Sequence, residues 1–140
     1  NFVTGKVAKE VAKIKLGLSN ELILGNLNAK RDWGHAKDYV KIMWQILQLE
    51  SPNDFVMATG ISHSVKDLVE YVFKSLNLDW TAYVKTHQKY LRPEELHDLK
   101  GDSTKLKTHI NVQYQYTFES MMDEMVEYWL DYFKENGKNS

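Results

Sequence analysis

The chain has 140 residues and a formal net charge of -1, which fits one compact unit and argues against a general nucleic-acid binder, since those carry a basic excess. Hydrophobic residues make up 43%, enough for a core, but no run of 18 apolar residues occurs and no membrane span is expected. There are no cysteines, which excludes disulfides, thiolate zinc sites and cysteine nucleophiles and fits a reduced, cytoplasmic setting.

Asn1-Phe2-Val3-Thr4-Gly5-Lys6 opens directly into an amphipathic pattern, with no secretory signal and no initiator methionine. A piece of a longer polypeptide is the expectation. Val3, Val7, Val11, Ile14 and Leu18 predict a helix capped by Thr4 and running to about Leu18. Leu22-Ile23-Leu24 reads as a short buried strand, ended by Gly25-Asn26. Residues 25–34 form a polar loop. A helix follows from about His35 to Leu49, with Ala36, Val40, Met43 and Leu47 on its inner face. Ser51-Pro52-Asn53-Asp54 is a turn, and Phe55 to Thr59 a second strand closed by Gly60. Ser64 and Asp67 form a capping box for a helix whose face is Val65, Leu68, Val69, Val72 and Leu76. Trp80 to Val84 reads as a third strand, Tyr90 to Leu99 as a loop with a helical turn, and Ser103 to His109 as a short helix. Thr117 caps the last helix, whose face is Phe118, Met122, Met125, Trp129 and Tyr132. The polar tail from Glu135 onward is expected to fray. The fold class is therefore α/β but mainly helical, with two or three short strands. So few strands make a poor sheet by themselves, so residues 1–140 are expected to be a single partial domain that leans on something larger.

The chemistry is bounded first by what is absent. The seven glycines never fall in a Gly-x-Gly-x-x-Gly or P-loop spacing, and no tyrosine is followed four residues later by a lysine. The histidines, His35, His63, His87, His97 and His109, lie far apart, and no metal site is expected.

The most informative stretch runs from Gly25 to Val40. Read locally, it is a loop feeding a helix N-terminus, where unpaired amides and the helix dipole favour an anion. Arg31 adds a planar fork suited to phosphate. Asp32 is placed to hold that fork, Asp38 to cap or lock the loop, and Trp33 to offer a flat surface to a base or to the core. On composition alone the same stretch also reads as a solvated loop with one ion pair and a buried tryptophan.

The run "LGNLNAKRDWGHAKDYV" resembles the signature of the GDP-mannose 4,6-dehydratases, members of the extended short-chain dehydrogenase/reductase group. "NFVTGKVAKEVAKI", "PNDFVMATG" followed by "SVKDLVE", "YLRPEELHDLKGDSTK" and "YTFESMMDEMVEYWL" resemble further family segments in the right order. Together they cover essentially the whole chain.

The resemblance implies the C-terminal, sugar-nucleotide-binding lobe of an extended Rossmann enzyme whose N-terminal domain is absent here. It implies GDP-mannose as ligand, NADP bound mainly in the other domain, that Rossmann domain as partner, and a homo-oligomer in the whole enzyme. The implied reaction moves a hydride from C4 of the mannose ring to NADP, eliminates water across C5 and C6, and returns the hydride to C6. The product is GDP-4-keto-6-deoxymannose, a precursor of fucose and related deoxysugars. No catalytic residue is expected in this chain, because the Gly-rich loop and the Tyr-x-x-x-Lys pair lie outside it.

Site roles follow from the same resemblance. Lys6, Arg31 and Arg92 correspond to contacts to the diphosphate or ribose. Gly25 and Asn26 correspond to guanosine contacts, Glu95 to an acceptor for a ribose or base donor, and Asn1 to a substrate contact ahead of the first helix. Each also has a plainer reading: Lys6 as one of four lysines on its helix (with Lys9, Lys13 and Lys15), Arg92 as a surface turn beside Glu94, Glu95 as a partner of Lys100. Two departures stand out. Gly5 replaces a usual basic residue, which weakens an anion contact. Ile110 to Tyr114 replaces Leu-Gly-Trp-x-Pro, which weakens a turn that packs the last helices. Two other readings stay open: the corresponding lobe of another nucleotide-sugar epimerase or dehydratase, or a non-enzymatic helical interaction module resting on Met121, Met122 and Met125.

Overall fold

The computed structural model describes residues 2–91 and 96–137. Helix α1 spans Val3–Lys15, α3 Val65–Ser75 and α5 Phe118–Asn136. These three pack on one another and form the core. Val7, Val11, Leu68, Val69, Val72, Phe73 and Met122 are essentially inaccessible. Burying such a side chain contributes about 1.5–3 kcal/mol. The α3 face and its capping box are as the sequence predicts, with the Ser64 hydroxyl accepting from Asp67 N and the Asp67 carboxylate accepting from Ser64 N. Thr117 caps α5 in the same reciprocal way, with Ser120.

Several boundaries differ. Phe2, not Thr4, is the N-cap of α1, and α1 ends at Lys15 because Gly17, with φ 73, turns the chain. Leu18 is therefore outside the helix and half exposed. Helix α5 continues to Asn136, past the expected fraying point, and its C-terminal turns carry Trp129 and Phe133, stacked on each other, under the lysines of α1. Met121 and Met122 are buried and Met125 packs against the core. That removes the basis of the methionine-rich partner surface: at this spacing the methionines face inward.

Among the described residues, five strands of two or three residues form, more than the two or three expected. Strand β1 (Leu22–Leu24) pairs in parallel with β4 (Val84–Thr86). Strand β2 (Lys30–Arg31) lies between β3 (His63–Ser64), antiparallel, and β5 (Asp98–Leu99), parallel. Strand β1 is where the sequence predicts it; β2, β3 and β5 were hidden by their shortness, since two residues carry no alternation to read. Trp80–Ala82 is a single 3-10 turn rather than a strand, because Asp79 caps it through Thr81 N. A second 3-10 turn spans Gln88–Tyr90.

Helix α2 spans Ala36–Ile46, shorter than expected, and α4 spans Thr104–His109. The predicted inner face of α2 is not an inner face here. Val40, Met43 and Leu47 are exposed, and the buried residues are Asp38 and Ile42. The predicted strand Phe55 to Thr59 is not paired with any described strand. The substitution of Ile110 to Tyr114 leaves its segment well tied. The Tyr114 hydroxyl donates to the Ala58 carbonyl, and the Asp38 carboxylate accepts from Gln115 N and Tyr116 N at 3.0 and 3.1 Å.

Candidate functional site

A cavity of about 510 Å³ opens where the start of α1, the end of β1 and β2 meet. Phe2, Val3 and Lys6 come from α1; Leu24, Gly25 and Asn26 from β1 and its turn; Ala29, Arg31 and Trp33 from the following loop; Tyr90 closes one side. Four residues singled out in the sequence, Lys6, Gly25, Asn26 and Arg31, thus line one space. Asn1, Arg92 and Glu95 lie outside the described residues.

Each of the four is held by its local structure. One turn into α1, Lys6 donates from Nζ to the Ile23 carbonyl. Its ammonium also lies 4.4 Å over the centre of the Tyr90 ring. Gly25 is in tight contact with Tyr90: a β-carbon there would stand 2.2 Å from the Tyr90 carbonyl oxygen. Only glycine lets the two backbones approach this closely. The Asn26 side-chain oxygen accepts from Asn28 N at 2.9 Å, so this side chain shapes the turn that presents Gly25. Arg31 sits on the central strand of the small sheet and donates from Nη1 to the carbonyls of Lys30 and Leu96, at 2.7 and 2.8 Å. That second bond ties the Arg31 loop to the segment leading out of residues 92–95.

The carboxylates behave differently from the expectation. Asp32 does not serve as a brace for the Arg31 fork. Its oxygens accept from Thr59 N, the Thr59 hydroxyl and Gly60 N. Asp38 locks residues 115–116 rather than the 25–34 loop. Nor does the N-terminus of α2 face the cavity. His35 caps it, Nδ1 accepting from Lys37 N at 3.0 Å, and Tyr116 stacks on the imidazole at 3.8 Å between centroids. With Nδ1 an acceptor, the proton of a neutral ring resides on Nε2, 3.4 Å from a Glu124 carboxylate oxygen. The Glu124 carboxyl is held below its ordinary pKa chiefly by its hydrogen bond from Lys37. The helix start that borders the cavity is that of α1, which has no side-chain cap. The sequence missed this because Thr4 looked like the cap.

Trp33 takes the core-facing reading and also borders the cavity. It lines the cavity and packs on the core, 6.0 Å from Phe118 between ring centres. Tyr90 was not singled out. Its signal was an aromatic residue two positions ahead of Arg92. A second hollow of about 480 Å³ lies beyond the Gly25–Asn26 turn, with Trp80, His87 and Leu91 on its wall. Among the described residues, no group of three or more His, Asp or Glu side chains is placed to hold a metal ion, and no helix is long and apolar enough to cross a membrane.

The geometry suits an extended anionic ligand. Two cations, a helix start and backbone at Gly25 border one space, and an aromatic wall adjoins it. The chain is similar to proteins of known kind. A family model described as GDP-mannose 4,6 dehydratase matches residues 1–125. GDP-mannose 4,6 dehydratase 2 of Arabidopsis thaliana is 44% identical over 91% of this chain and 34% of its own length. GDP-mannose 4,6 dehydratase of Dictyostelium discoideum is 42% identical over 98% of this chain and 43% of its own. Among solved structures, that of RMD from Pseudomonas aeruginosa complexed with NADPH superposes with a TM-score of 0.84 at 17% identity, covering 94% of this chain and 43% of that one. That likeness shows a shared fold, and the chain spans less than half the length of these relatives. On the family match and the identities, the chain belongs to the GDP-mannose 4,6 dehydratase family.

Proposed function

We propose that this chain is the GDP-mannose-binding lobe of a GDP-mannose 4,6-dehydratase. The observation that carries the reading is the convergence of Lys6, Gly25, Asn26 and Arg31, from separate segments, on one cavity. In this reading Lys6 and Arg31 neutralise the diphosphate, and Arg92 joins them. Gly25 and Asn26 meet the guanosine, Glu95 accepts from ribose or base, and Asn1 contacts substrate ahead of α1. The lobe holds the nucleotide end of the substrate and so fixes where the sugar ring stands. Positioning of that kind contributes several kcal/mol to lowering a barrier, on the order of 7 at best-oriented geometries.

The residues of this chain do not fit the nicotinamide dinucleotide. Among the described residues no glycine-rich turn opens a helix to cradle a second pyrophosphate, and the sequence holds no Gly-x-Gly-x-x-Gly. NADP and the hydride chemistry it supplies therefore belong, in this reading, to a Rossmann domain that pairs with the lobe. The active enzyme is a homo-oligomer of such two-part subunits, and the setting is cytoplasmic.

The test is a calorimetric titration with GDP, GMP, UDP and dTDP, using the chain joined in frame behind the upstream part of the Dictyostelium relative. Selective GDP binding supports the reading. Equal or better binding of UDP or dTDP would move the lobe to another nucleotide-sugar enzyme. No nucleotide binding at all would refute the reading.

A further inference from the structure

Lys13, Lys37, Lys66, Lys85 and Lys134 each stand 2.8–3.6 Å from a carboxylate oxygen, of Glu10, Glu124, Glu70, Glu21 and Asp131 respectively. Lys6, which lines the cavity, is held differently. Among the described residues its partners are neutral: the Ile23 carbonyl, to which Nζ donates, and the face of the Tyr90 ring, 4.4 Å from Nζ to its centre. Neutral partners orient an ammonium without cancelling its charge. They also limit the many rotamers that a four-carbon stem otherwise samples, an ordering cost that a ligand would have to meet on binding.

The position of the Tyr90 ring is itself fixed. Beyond β4, His87 N donates to the Leu24 carbonyl at 3.0 Å, so the chain is still on β1 where the next turn begins. His87 Nδ1 then accepts from Lys89 N, and Tyr90 N donates to the His87 carbonyl, both at 3.0 Å. That turn folds Tyr90 back over Gly25, whose missing β-carbon allows the contact. Strand β1 thus carries both supports of Lys6: the Ile23 carbonyl on the strand and the Tyr90 ring pressed against its end. Helix α1 supplies the cation, and β1 with the 88–90 turn supplies its seat.

We infer that Tyr90 is a positioning residue of the nucleotide site: its ring face holds the Lys6 ammonium, with its charge uncancelled, at the wall of the cavity where the diphosphate lies. The inference rests on reading that cavity as the diphosphate site. An aromatic face attracts a cation through its quadrupole. Of the three donors on an ammonium, one goes to the Ile23 carbonyl, and the ring leaves others for phosphate oxygens. A carboxylate in place of the ring would hold Lys6 as firmly and would oppose an anion. Tyr90 therefore acts through Lys6 and not by touching the nucleotide.

The experiment uses the in-frame fusion described above, titrated with GDP directly and with guanosine by displacement of GDP. Tyr90→Leu removes the ring and keeps apolar bulk, and Tyr90→Phe keeps the ring. Tyr90→Leu should weaken GDP binding roughly three- to tenfold, the range for ordering one long side chain on binding. Tyr90→Phe should stay within about twofold of the parent, since the ring face is retained. Guanosine, which carries no phosphate, should bind equally to all three. In a Lys6→Ala background, Tyr90→Leu should add nothing further, because the two side chains act as one group. Phenylalanines of increasing fluorination at position 90 drain the ring face of electrons with little change of shape, so GDP binding should weaken step by step. That series preserves the packing of the turn and decides the matter even where Tyr90→Leu fails to fold. Equal losses for guanosine and GDP overturn the proposal in favour of a direct contact between Tyr90 and the base. Additive losses with Lys6→Ala, or a flat fluorine series, overturn it in favour of a purely structural turn. Tighter GDP binding in Tyr90→Leu overturns it in favour of a latch that keeps Lys6 from the ligand. In each of these cases GDP still binds and the proposed function stands; a parent fusion that binds no GDP refutes that function and this inference together.

Discussion

Asp32 and Gly60, 28 positions apart, are joined by a 2.8 Å hydrogen bond in which the Gly60 N–H donates to the carboxylate. Gly60 has φ 80, a conformation that a residue with a β-carbon rarely adopts, so the partner amide is delivered by a turn only glycine makes easily. The same carboxylate takes the amide and hydroxyl of Thr59, and so Asp32, next to Arg31, clamps the loop of the cavity to the segment that precedes β3. Hydrogen bonds to a charged acceptor contribute about 1.5–3 kcal/mol each, and losing shared ones is not additive, so Asp32→Ala should cost roughly 2–4 kcal/mol. Asp32→Asn, which keeps one acceptor, should cost less. Urea denaturation of the three proteins checks both the size and the order.

Arg31 and Arg92 should act on one diphosphate. Each Arg→Ala change in the fusion should weaken GDP binding by roughly ten- to a hundredfold, from the ~1.5–3 kcal/mol of a charged hydrogen bond. Arg31→Lys should rescue little, because an ammonium does not reproduce the planar fork. The double change should lose less than the sum, since both groups share a ligand. Lys6→Ala should fall in the same range. Unchanged affinity in Arg31→Ala would return that residue to its structural bonds with the Lys30 and Leu96 carbonyls.

Gly25→Ala tests the wall of the cavity without touching a charge. The new β-carbon would meet the Tyr90 carbonyl oxygen at 2.2 Å, so either the β1 turn or the 88–90 turn must move. Overpacking of this kind costs about 1–3 kcal/mol. The expected outcome is a lower unfolding midpoint together with weaker GDP binding. A variant as stable and as tight as the parent would show that this contact does not shape the site.

Alkaline stability should depend on two partly buried phenols. Burial first, and then its hydrogen bond to Asp123, push Tyr71 up to about 12. Burial, with the charges of Asp32 and Asp38 nearby, does the same for Tyr39. The folded value lies above the unfolded one of about 10, so the stability these groups contribute is complete below pH ~10 and is lost as pH rises through ~12. Tyr71→Phe should remove its share of that dependence. Denaturation midpoints between pH 9 and 12 should therefore fall less steeply in the variant than in the parent.

The 140-residue chain alone should form no 4-keto product from GDP-mannose and NADP. It holds neither a glycine-rich phosphate turn nor a tyrosine with a lysine four residues on. Product above a blank in an anaerobic assay of the purified chain would require a catalytic group within it that neither the motifs nor the cavity contains.

Local pattern was enough for α3 and α5 with their caps, and for the existence of α1 but not its N-cap or its end, because their apolar faces are buried within this chain. The family resemblance, not local pattern, singled out Lys6, Gly25, Asn26 and Arg31, and the structure brings these four to one cavity; Asn1, Arg92 and Glu95 lie outside the described residues. The partners of the carboxylates were not legible. Asp32 and Asp38 find their amides 27 and 77 positions away, and sequence spacing carries no information about such contacts. Strands of two residues likewise exist only through the neighbours that tertiary packing supplies. The hardest case is α2 and the 55–59 segment. Their hydrophobic pattern was read as an inner helix face and a strand, but burial is a property of what lies opposite, and among the described residues nothing lies opposite the Val40, Met43 and Leu47 face and no strand pairs with 55–59.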